Sequence, residues 1–542
     1  MIFHETIARA LQDQGIDTVF GVMGDANIYM MDAFVRLTGG RFYSVSNEAG
    51  AVLAANGYAR TTGALGVASV THGPALTNTV TALVESVRDR TPLLLVAGDT
   101  AVVDRDNFQN ISQRDVVMPT GAGFEQVRSL QTVCEDVAVA VRRALVERRP
   151  VVLNVPIEFQ WEEAAYEAPE RARFAGRQAA APETAALEDA VGVVAAAGRP
   201  LILAGQGATT DEARAALVRL AHRIGAPLAT TLRGRDLFRG EPHNIGIAGG
   251  LSHEVALEVI GSADTVIAFG AGLNQWTTAQ GAVLADRRVV QVDVDPAALG
   301  RFQGVTAAVQ GDAAVVADAM VALLDEAEVK PTGFASPGLA SRLAARRDDD
   351  FVDLSTDRDV DLRTVLLRLE RSFPEDRTLV FDGGRFIFNS FKLLHVRHPR
   401  DYVHTVNFGS IGLGMGNAIG AAVGSGKPTL LITGDGGFML GGLAEFNTAV
   451  RHKLDLVVFV FNDGAYGAEH IQFRSKGMDP AASTFDWPDF GPVATALGGI
   501  GYTVRSLADL DEALAALPGR DRPMLVDVKL DPDKVTTAGH LE

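Results

Sequence analysis

Short runs of β-branched and other apolar residues recur along the chain, each closed by a turn and followed by a helical pattern, and this rhythm restricts the fold more than any other feature. The runs are 65–70, 92–97, 151–155, 201–204, 265–269, 289–292, 379–381, 430–433, 456–461 and 524–528. Strands apolar at successive positions are buried on both faces, and their alternation with helices builds parallel sheets. The expected class is therefore α/β with doubly wound parallel-sheet domains. At 542 residues the chain exceeds what one core sustains, so about three domains are expected. Two stretches break the rhythm: 162–184, and 329 to about 359, where Pro331, Gly333, Pro337 and the charged "RRDDD" run have the composition of linkers. They separate domains at 1–165, 185–330 and 360–542. The first and last share size and layout without evident sequence identity.

Several function classes fall away on composition. Lys plus Arg number 49 against 67 Asp plus Glu, a net charge of −18 that disfavours nucleic-acid or anionic-membrane partners. The only cysteine, Cys134, lies in the apolar-periodic "LQTVCEDVAVAVRRAL" and reads as core rather than nucleophile. The opening "MIFHETIARALQDQGIDTVFG" has polar residues where a signal peptide needs an apolar core, and reads as the first helix of a domain. Apolar runs such as "LVVFVF" fall far below the roughly 18 residues of a bilayer span, and a cytoplasmic protein is expected.

The motif richest in chemistry begins at Leu430. Strand "LLIT" leads into Gly434-Asp435-Gly436-Gly437, then a helical stretch with Glu445, a second strand, and Asn462-Asp463-Gly464. In a parallel sheet both loops leave at the carboxyl edge, where ligands bind. A carboxylate, an amide or carboxylate from the next strand and a loop carbonyl make a hard oxygen site suited to Mg²⁺. The glycines let backbone N–H groups approach a diphosphate that the metal helps neutralise. Asp382-Gly383-Gly384-Arg385 forms another strand-to-helix turn that could reach the same phosphates or be a plain tight turn. Glu48 opens a helix in "SNEAGAVLAANGYAR", where an acid ordinarily does no more than meet the helix dipole. Gly412-Leu413-Gly414-Met415-Gly416 is not read as a dinucleotide fingerprint, since no apolar strand immediately precedes it.

"NEAGAVLAANGYAR", "THGPALTN", "GSIGLGMGNAIGAA" and "GDGG…FND" occur in the order and approximate spacing of one family. In these motifs the chain resembles the thiamine-diphosphate-dependent enzymes that include acetolactate synthase, benzoylformate decarboxylase, pyruvate decarboxylase and benzaldehyde lyase. The likeness covers essentially the whole chain. It implies pyrimidine-binding, central and diphosphate-binding domains, and a homodimer or homotetramer with each active site between subunits. It also implies residue roles. Glu48 would hydrogen-bond the aminopyrimidine ring, and Pro74 and Asn78 of "THGPALTN" would adjoin the cofactor. Gly384, Arg385, Gly434, Gly436, Gly437, Tyr466 and Gly467 would line its diphosphate side, with Gly409 and Ser410 flanking a large apolar wedge at Ile411. Asp435 would bind the metal. The second ligand is Asn462 if counted from Asp435, or Asp463 if the helix and the later "YGA" are aligned; the latter is preferred, with Ala465 giving a carbonyl.

The substrate pocket matches no single member. Asp25 in "FGVMGDANIYMMD" stands where pyruvate decarboxylases have a catalytic aspartate, yet their adjacent histidine pair is replaced by "NFQNISQRD", whose Gln109 aligns with a glutamine of acetolactate synthases and benzaldehyde lyase. His72 replaces a small residue and is either a proton relay or a loop hydrogen-bonding group. Of the neighbours Glu469 and His470, which cannot share a helix face, Glu469 is preferred as the one facing the cofactor. In the central domain Gly205-Gln206-Gly207 resembles half of a dinucleotide turn; a structural spacer is preferred, with FAD or a CoA group as the alternative. The expected function is acetolactate-synthase-like: decarboxylation of a 2-oxo acid and carboligation of the activated fragment to an aldehyde or ketone. The alternatives are a simple 2-oxo-acid decarboxylase, a 2-hydroxyacyl-CoA or hydroxyketone lyase, and a non-catalytic cofactor-binding protein.

Overall fold

The computed structural model describes residues 1–168 and 180–535; of the first linker stretch, 169–179 lie outside the described residues. Three sheets of six strands follow one another, and every pairing is parallel. The first contains β1 (Thr18–Gly21), β2 (Arg41–Ser44), β3 (Gly66–Val70), β4 (Leu93–Asp99), β5 (Gly123–Gln126) and β6 (Pro150–Pro156), in the order β2-β1-β3-β4-β6-β5. The second contains β7 (Pro200–Ala204), β8 (Leu228–Thr230), β9 (Asn244–Ile247), β10 (Thr265–Phe269), β11 (Arg288–Asp293) and β12 (Ala307–Gln310), in the order β12-β11-β10-β7-β8-β9. The third contains β13 (Thr378–Phe381), β14 (Tyr402–His404), β15 (Thr429–Gly434), β16 (Leu456–Asn462), β17 (Ile500–Val504) and β18 (Met524–Lys529), in the order β14-β13-β15-β16-β18-β17. Counted within each sheet, the first and third share the order 2-1-3-4-6-5. The second has the 3-2-1-4-5-6 order of dinucleotide-binding folds.

All ten expected strands are present, within two residues of their expected limits. The strands without a legible run include all six sheet edges: β2, β5, β9, β12, β14 and β17. An edge strand is not packed on every side and needs no continuous apolar run. The burial of β2 and of β12, which alternates buried and exposed, illustrates this. The stretch 329–359 is more than a linker: Ser336 caps a helix, Pro337–Ala344, that buries Leu339. Cys134 is buried in the helix Val133–Glu147, and the amino terminus forms the helix Phe3–Asp13. Among the described residues no helix is long and apolar enough to cross a membrane.

The chain forms two compact units, one of residues 1–168, 353–390 and 401–535, the other of 180–352 and 391–400. The first unit thus holds the first and third sheets together. Their second-strand helices, Glu48–Thr62 and Gly414–Ser425, pack so closely that a Cβ on Gly57 would lie 2.0 Å from Asn417 O and one on Gly420 1.7 Å from Ala54 O. At the seam Asn56 Nδ2 donates to Asn417 Oδ1 (2.9 Å).

Candidate active site

In an open α/β sheet, ligands bind outside the carboxyl ends of neighbouring strands whose connections depart in opposite directions. In the third sheet these strands are β13 and β15, and the loops there carry Asp382–Arg385 and Gly434–Gly437. β16 lies next to β15, with Phe461 opposite Gly434, so the Asn462–Tyr466 loop emerges beside them.

Asp435 is 3% exposed and its Oδ2 has no hydrogen-bond partner among the described residues. Burial, joined by the nearby charge of Asp463, pushes its carboxyl up to about 7 despite backbone N–H donation from Gly436 and Gly464. Asp463 is also raised by burial, with the Arg385 guanidinium acting against the rise; Arg385 Nη2 donates to its Oδ2 (3.2 Å). Asn462 is committed elsewhere. Its Nδ2 donates to Asp527 (2.9 Å) across the β16–β18 pair and its Oδ1 accepts from Gly464 N (3.2 Å). Near Ala465 an isolated bridge uses the carbonyls of Gly464 and Ser483, leaving that of Ala465 out of both bonds. An orphaned buried carboxylate oxygen, a second carboxylate and a loop carbonyl are the hard donors a small divalent cation takes. Among the described residues no group of three or more His, Cys, Asp or Glu side chains forms a metal cluster, so such a cation would draw its remaining oxygens from backbone, water or a bound ligand.

The glycine turns around this acid are tight. A Cβ on Gly436 would lie 2.6 Å from the Tyr466 ring, one on Gly434 2.9 Å from Phe386, and one on Gly467 3.0 Å from Arg385 Nε. Ile411 lies between two of the loops, its side chain 3.2 Å from a Cβ built on Gly383 and 3.8 Å from one built on Gly436. Gly409, at φ 81°, turns the chain towards it, and Ser410 Oγ donates to Ile411 O (3.1 Å). Asp382 is more than part of a turn: fully buried, it accepts from Gly383 N (2.7 Å), Gly412 N (3.0 Å) and Thr433 Oγ1 (3.0 Å), tying three loops together.

In the first sheet the corresponding strands are β1 and β3, whose loops bring Asp25 and His72 together. Thr71 Oγ1 donates to Asp25 Oδ1 (2.9 Å), so its remaining contact with His72 Nδ1 (3.2 Å) is one in which the ring nitrogen donates. His72 is 1% exposed, whereas the Asp25 side chain is 65% exposed, 3.7 Å from Nδ1. Gln109 packs on Gly73, where a Cβ would lie 2.3 Å from its carbonyl oxygen. Gln113, which sequence reasoning missed, holds this corner from within by accepting from Gly73 N (2.9 Å) and donating to Gly98 O (2.8 Å). Its one sequence signal is an amide at the buried start of a short helix. Glu48 is half-buried at the first turn of Glu48–Thr62 and accepts from Asn78 Nδ2 (3.0 Å); Pro74 is exposed nearby in sequence at the start of Pro74–Thr77. Glu469 is exposed. Its neighbour His470 is the one turned inward, 3.1 Å from Asp533.

Comparison with known proteins gives these sites a common context. Residues 1–118 match the N-terminal TPP-binding domain of thiamine pyrophosphate enzymes, 187–320 their central domain and 382–528 their C-terminal TPP-binding domain. The chain is 29% identical to a probable 2-ketoarginine decarboxylase of Pseudomonas aeruginosa, covering 94% of this chain and 90% of that protein. It is 27% identical to an oxalyl-CoA decarboxylase of Escherichia coli over 99% and 96% of the two, and 25% identical to an acetolactate synthase of Mycobacterium bovis over 96% and 87%. With the three models in domain order on three parallel sheets, the chain belongs to the thiamine pyrophosphate enzyme family.

Proposed function

We propose that this protein is a thiamine-diphosphate- and Mg²⁺-dependent enzyme that removes carbon dioxide from a 2-oxo acid. The observation that carries this reading is the unpartnered Asp435 oxygen, buried opposite Asp463 among tight turns whose glycines carry no side chain to cover the backbone N–H groups. Asp435, Asp463 and the Ala465 carbonyl would hold the cation; Asn462, with both amide ends engaged, stays a framework residue. Backbone N–H groups of the glycine turns and the Arg385 side chain would hold the diphosphate, and Ile411 would shape the face beneath it. When bound, the cofactor supplies a carbon nucleophile and an electron sink. Glu48, oriented through Oε2 by Asn78, keeps Oε1 for a ring nitrogen and holds the proton there. Two of the relatives named above are decarboxylases, which supports carbon dioxide as the leaving group.

Two fates for the remaining fragment are distinguishable. The run from His72 through Thr71 to the exposed Asp25 carboxylate favours return of a proton and release of an aldehyde. Gln109, held beside it by Gly73, supports the second reading, ligation to an aldehyde or ketone. We assign the central domain a structural role, because its glycine turn is bonded to the neighbouring loop by backbone. The active site is completed by a second copy of the chain, as the family resemblance implies.

The test is a panel of 2-oxo acids with and without aldehyde acceptors, reading carbon dioxide and hydroxyketone together. Release that requires thiamine diphosphate and Mg²⁺, and falls more than about a hundredfold in Glu48→Gln, is expected. Undiminished turnover in that variant rejects the mechanism. Asp25→Asn should shift product from aldehyde towards hydroxyketone if Asp25 returns the proton.

A further inference from the structure

The first and third sheets, alike in strand order, are joined by a reciprocal pair of buried acids. In the third, Glu445 lies on the helix between the third and fourth strands, Leu443–Arg451, and is 2% exposed. Its carboxylate accepts from Ser46 N (3.1 Å) and Asn47 N (3.0 Å), in the loop that follows the second strand of the first sheet and leads directly into Glu48. Arg451 Nη2 and His452 Nε2 reach Ser44 O at the end of β2, just before this loop (3.0 and 3.1 Å). In the first sheet, Glu85 occupies the equivalent helix, Val80–Asp89, and is fully buried. It accepts from Asn407 N (3.1 Å) and Phe408 N (2.7 Å), in the loop after the second strand of the third sheet that leads into Gly409 and Ile411. Arg88 Nη1 reaches Asn407 O (3.3 Å) and its guanidinium lies over the Phe408 ring at 4.7 Å.

Each fold therefore grips, from the same helix and with the same residue type, the same loop of the other. A surface contact would not need two buried acids, since a carboxylate removed from water needs backbone donors to be tolerated at all. Neither acid is near enough in sequence to Glu48 or Ile411 to be a local cap.

We propose that Glu445 and Glu85 are reciprocal positioning residues: Glu445 sets the place of Glu48, and Glu85, together with Asp382 on Gly412 N, sets the place of Ile411. Gly50 is part of the same device, because a Cβ there would lie 2.3 Å from Glu445 Oε1. At Glu85 the two backbone donors meet different oxygens, so an amide loses one grip, and at Glu445, where Oε1 takes both donors and Oε2 a second contact with Ser46 N (3.2 Å), an amide sets its NH₂ against Ser46 N; neither change loses volume. This assignment rests on the proposed roles of Glu48 and Ile411, but its structural half can be read without cofactor.

Full-length wild type, Glu445→Gln, Glu85→Gln and Gly50→Ala are compared, first cofactor-free, by amide hydrogen exchange. Exchange should rise about tenfold at 46–47 in Glu445→Gln and Gly50→Ala, and at 407–408 in Glu85→Gln, with the sheets unchanged. Thiamine diphosphate with Mg²⁺ is then titrated. Glu445→Gln should bind within about threefold of wild type while kcat drops about tenfold or more at unchanged KM, the signature of a misplaced acid. Uniformly faster exchange, or unchanged exchange at both loops, overturns the proposal. So does a kcat that falls only with the unfolded fraction. If wild type itself fails to bind the cofactor, the function proposed above fails, and the exchange data still decide whether the grips exist. Should Glu445→Gln not fold, Gly50→Ala carries the same test with the carboxylate retained.

Discussion

The crevice between β13 and β15 and the one between β7 and β10 occupy the same kind of place in their sheets, yet they are built oppositely. Between β7 and β10 the loops are stapled by backbone: Gly205 N donates to Phe269 O (2.8 Å) and Gly207 N to Gly270 O (3.0 Å), and a Cβ on Gly205 would lie 2.3 Å from Gly270 O. Between β13 and β15 the loops are joined by the Asp382 side chain, with Ile411 beside them, and end in Asp435, whose Oδ2 is left without a partner. The acids differ in the same sense. In the unit with the second sheet, burial opposes ionisation of Asp236, but the Arg235 guanidinium, His395 Nδ1 (2.8 Å) and Val396 N (3.0 Å) outweigh it and hold the carboxyl well below its usual range. Asp435 has the opposite balance and is pushed up to about 7. Where the protein supplies the counter-charge, a buried acid is framework. Asp435 has neither a counter-charge nor a hydrogen-bond partner at Oδ2, which is what a cation-binding acid requires.

The strongest way to break this contrast is Asp435→Asn. Affinity for Mg²⁺ with thiamine diphosphate should fall more than about a hundredfold, measured by fluorescence titration. Without cofactor the same variant should be no less stable and should lose a pH dependence. The unfolded chain ionises Asp435 from about pH 4, whereas the folded one keeps the proton to about 7, so the stability of wild type declines as pH rises across that window, by at most about 4 kcal/mol. A flat wild-type profile would remove the distinction.

Asp236→Asn, which keeps a residue type tolerant of the left-handed backbone at φ 61°, should behave as the mirror image. A loss of about 3 kcal/mol in denaturant unfolding is expected near neutral pH, because the variant removes the buried carboxylate that meets Arg235, His395 and Val396. The contribution of Asp236 is complete above about pH 4 and is lost as pH falls towards its depressed folded value, so the gap between variant and wild type should close in acid. Cofactor titration should be unmoved.

The smallest effect sharpens the contrast between the two glycine turns. Gly205→Ala sets a methyl against backbone and should cost about 1–3 kcal/mol, whereas Gly436→Ala meets the part-exposed Tyr466 ring, which can swing, and should cost less than about 1 kcal/mol. Equal losses on thermal unfolding would mean that the second crevice is no more closed than the third.

Much of this was legible beforehand, for reasons that vary by element. The strands packed deepest in each sheet were visible because burial on both faces demands continuous apolar residues, and the edges were not because it does not. Asp435 was legible because a GDG turn between two strands leaves few structural alternatives. The choice between Asn462 and Asp463 was ambiguous in sequence, where adjacent residues differ by one count; in the fold Asn462 is drawn to Asp527 on a strand 65 residues away. Asp25, His72 and Gln109 could be named separately. Their convergence on Thr71 and Gly73 depends on which strands are neighbours.

The sequence by itself determined the α/β class, the three parallel sheets and the family, because local apolar periodicity and short glycine-acid turns follow from residues close together in the chain. Only the tertiary structure decided which acids lack a counter-charge, which crevice is stapled shut, and that Glu85 and Glu445 hold each other's loops across more than 320 and 390 residues of chain. Those are properties of pairs, and pairing between distant residues is fixed by sheet order and packing rather than by any one stretch of sequence.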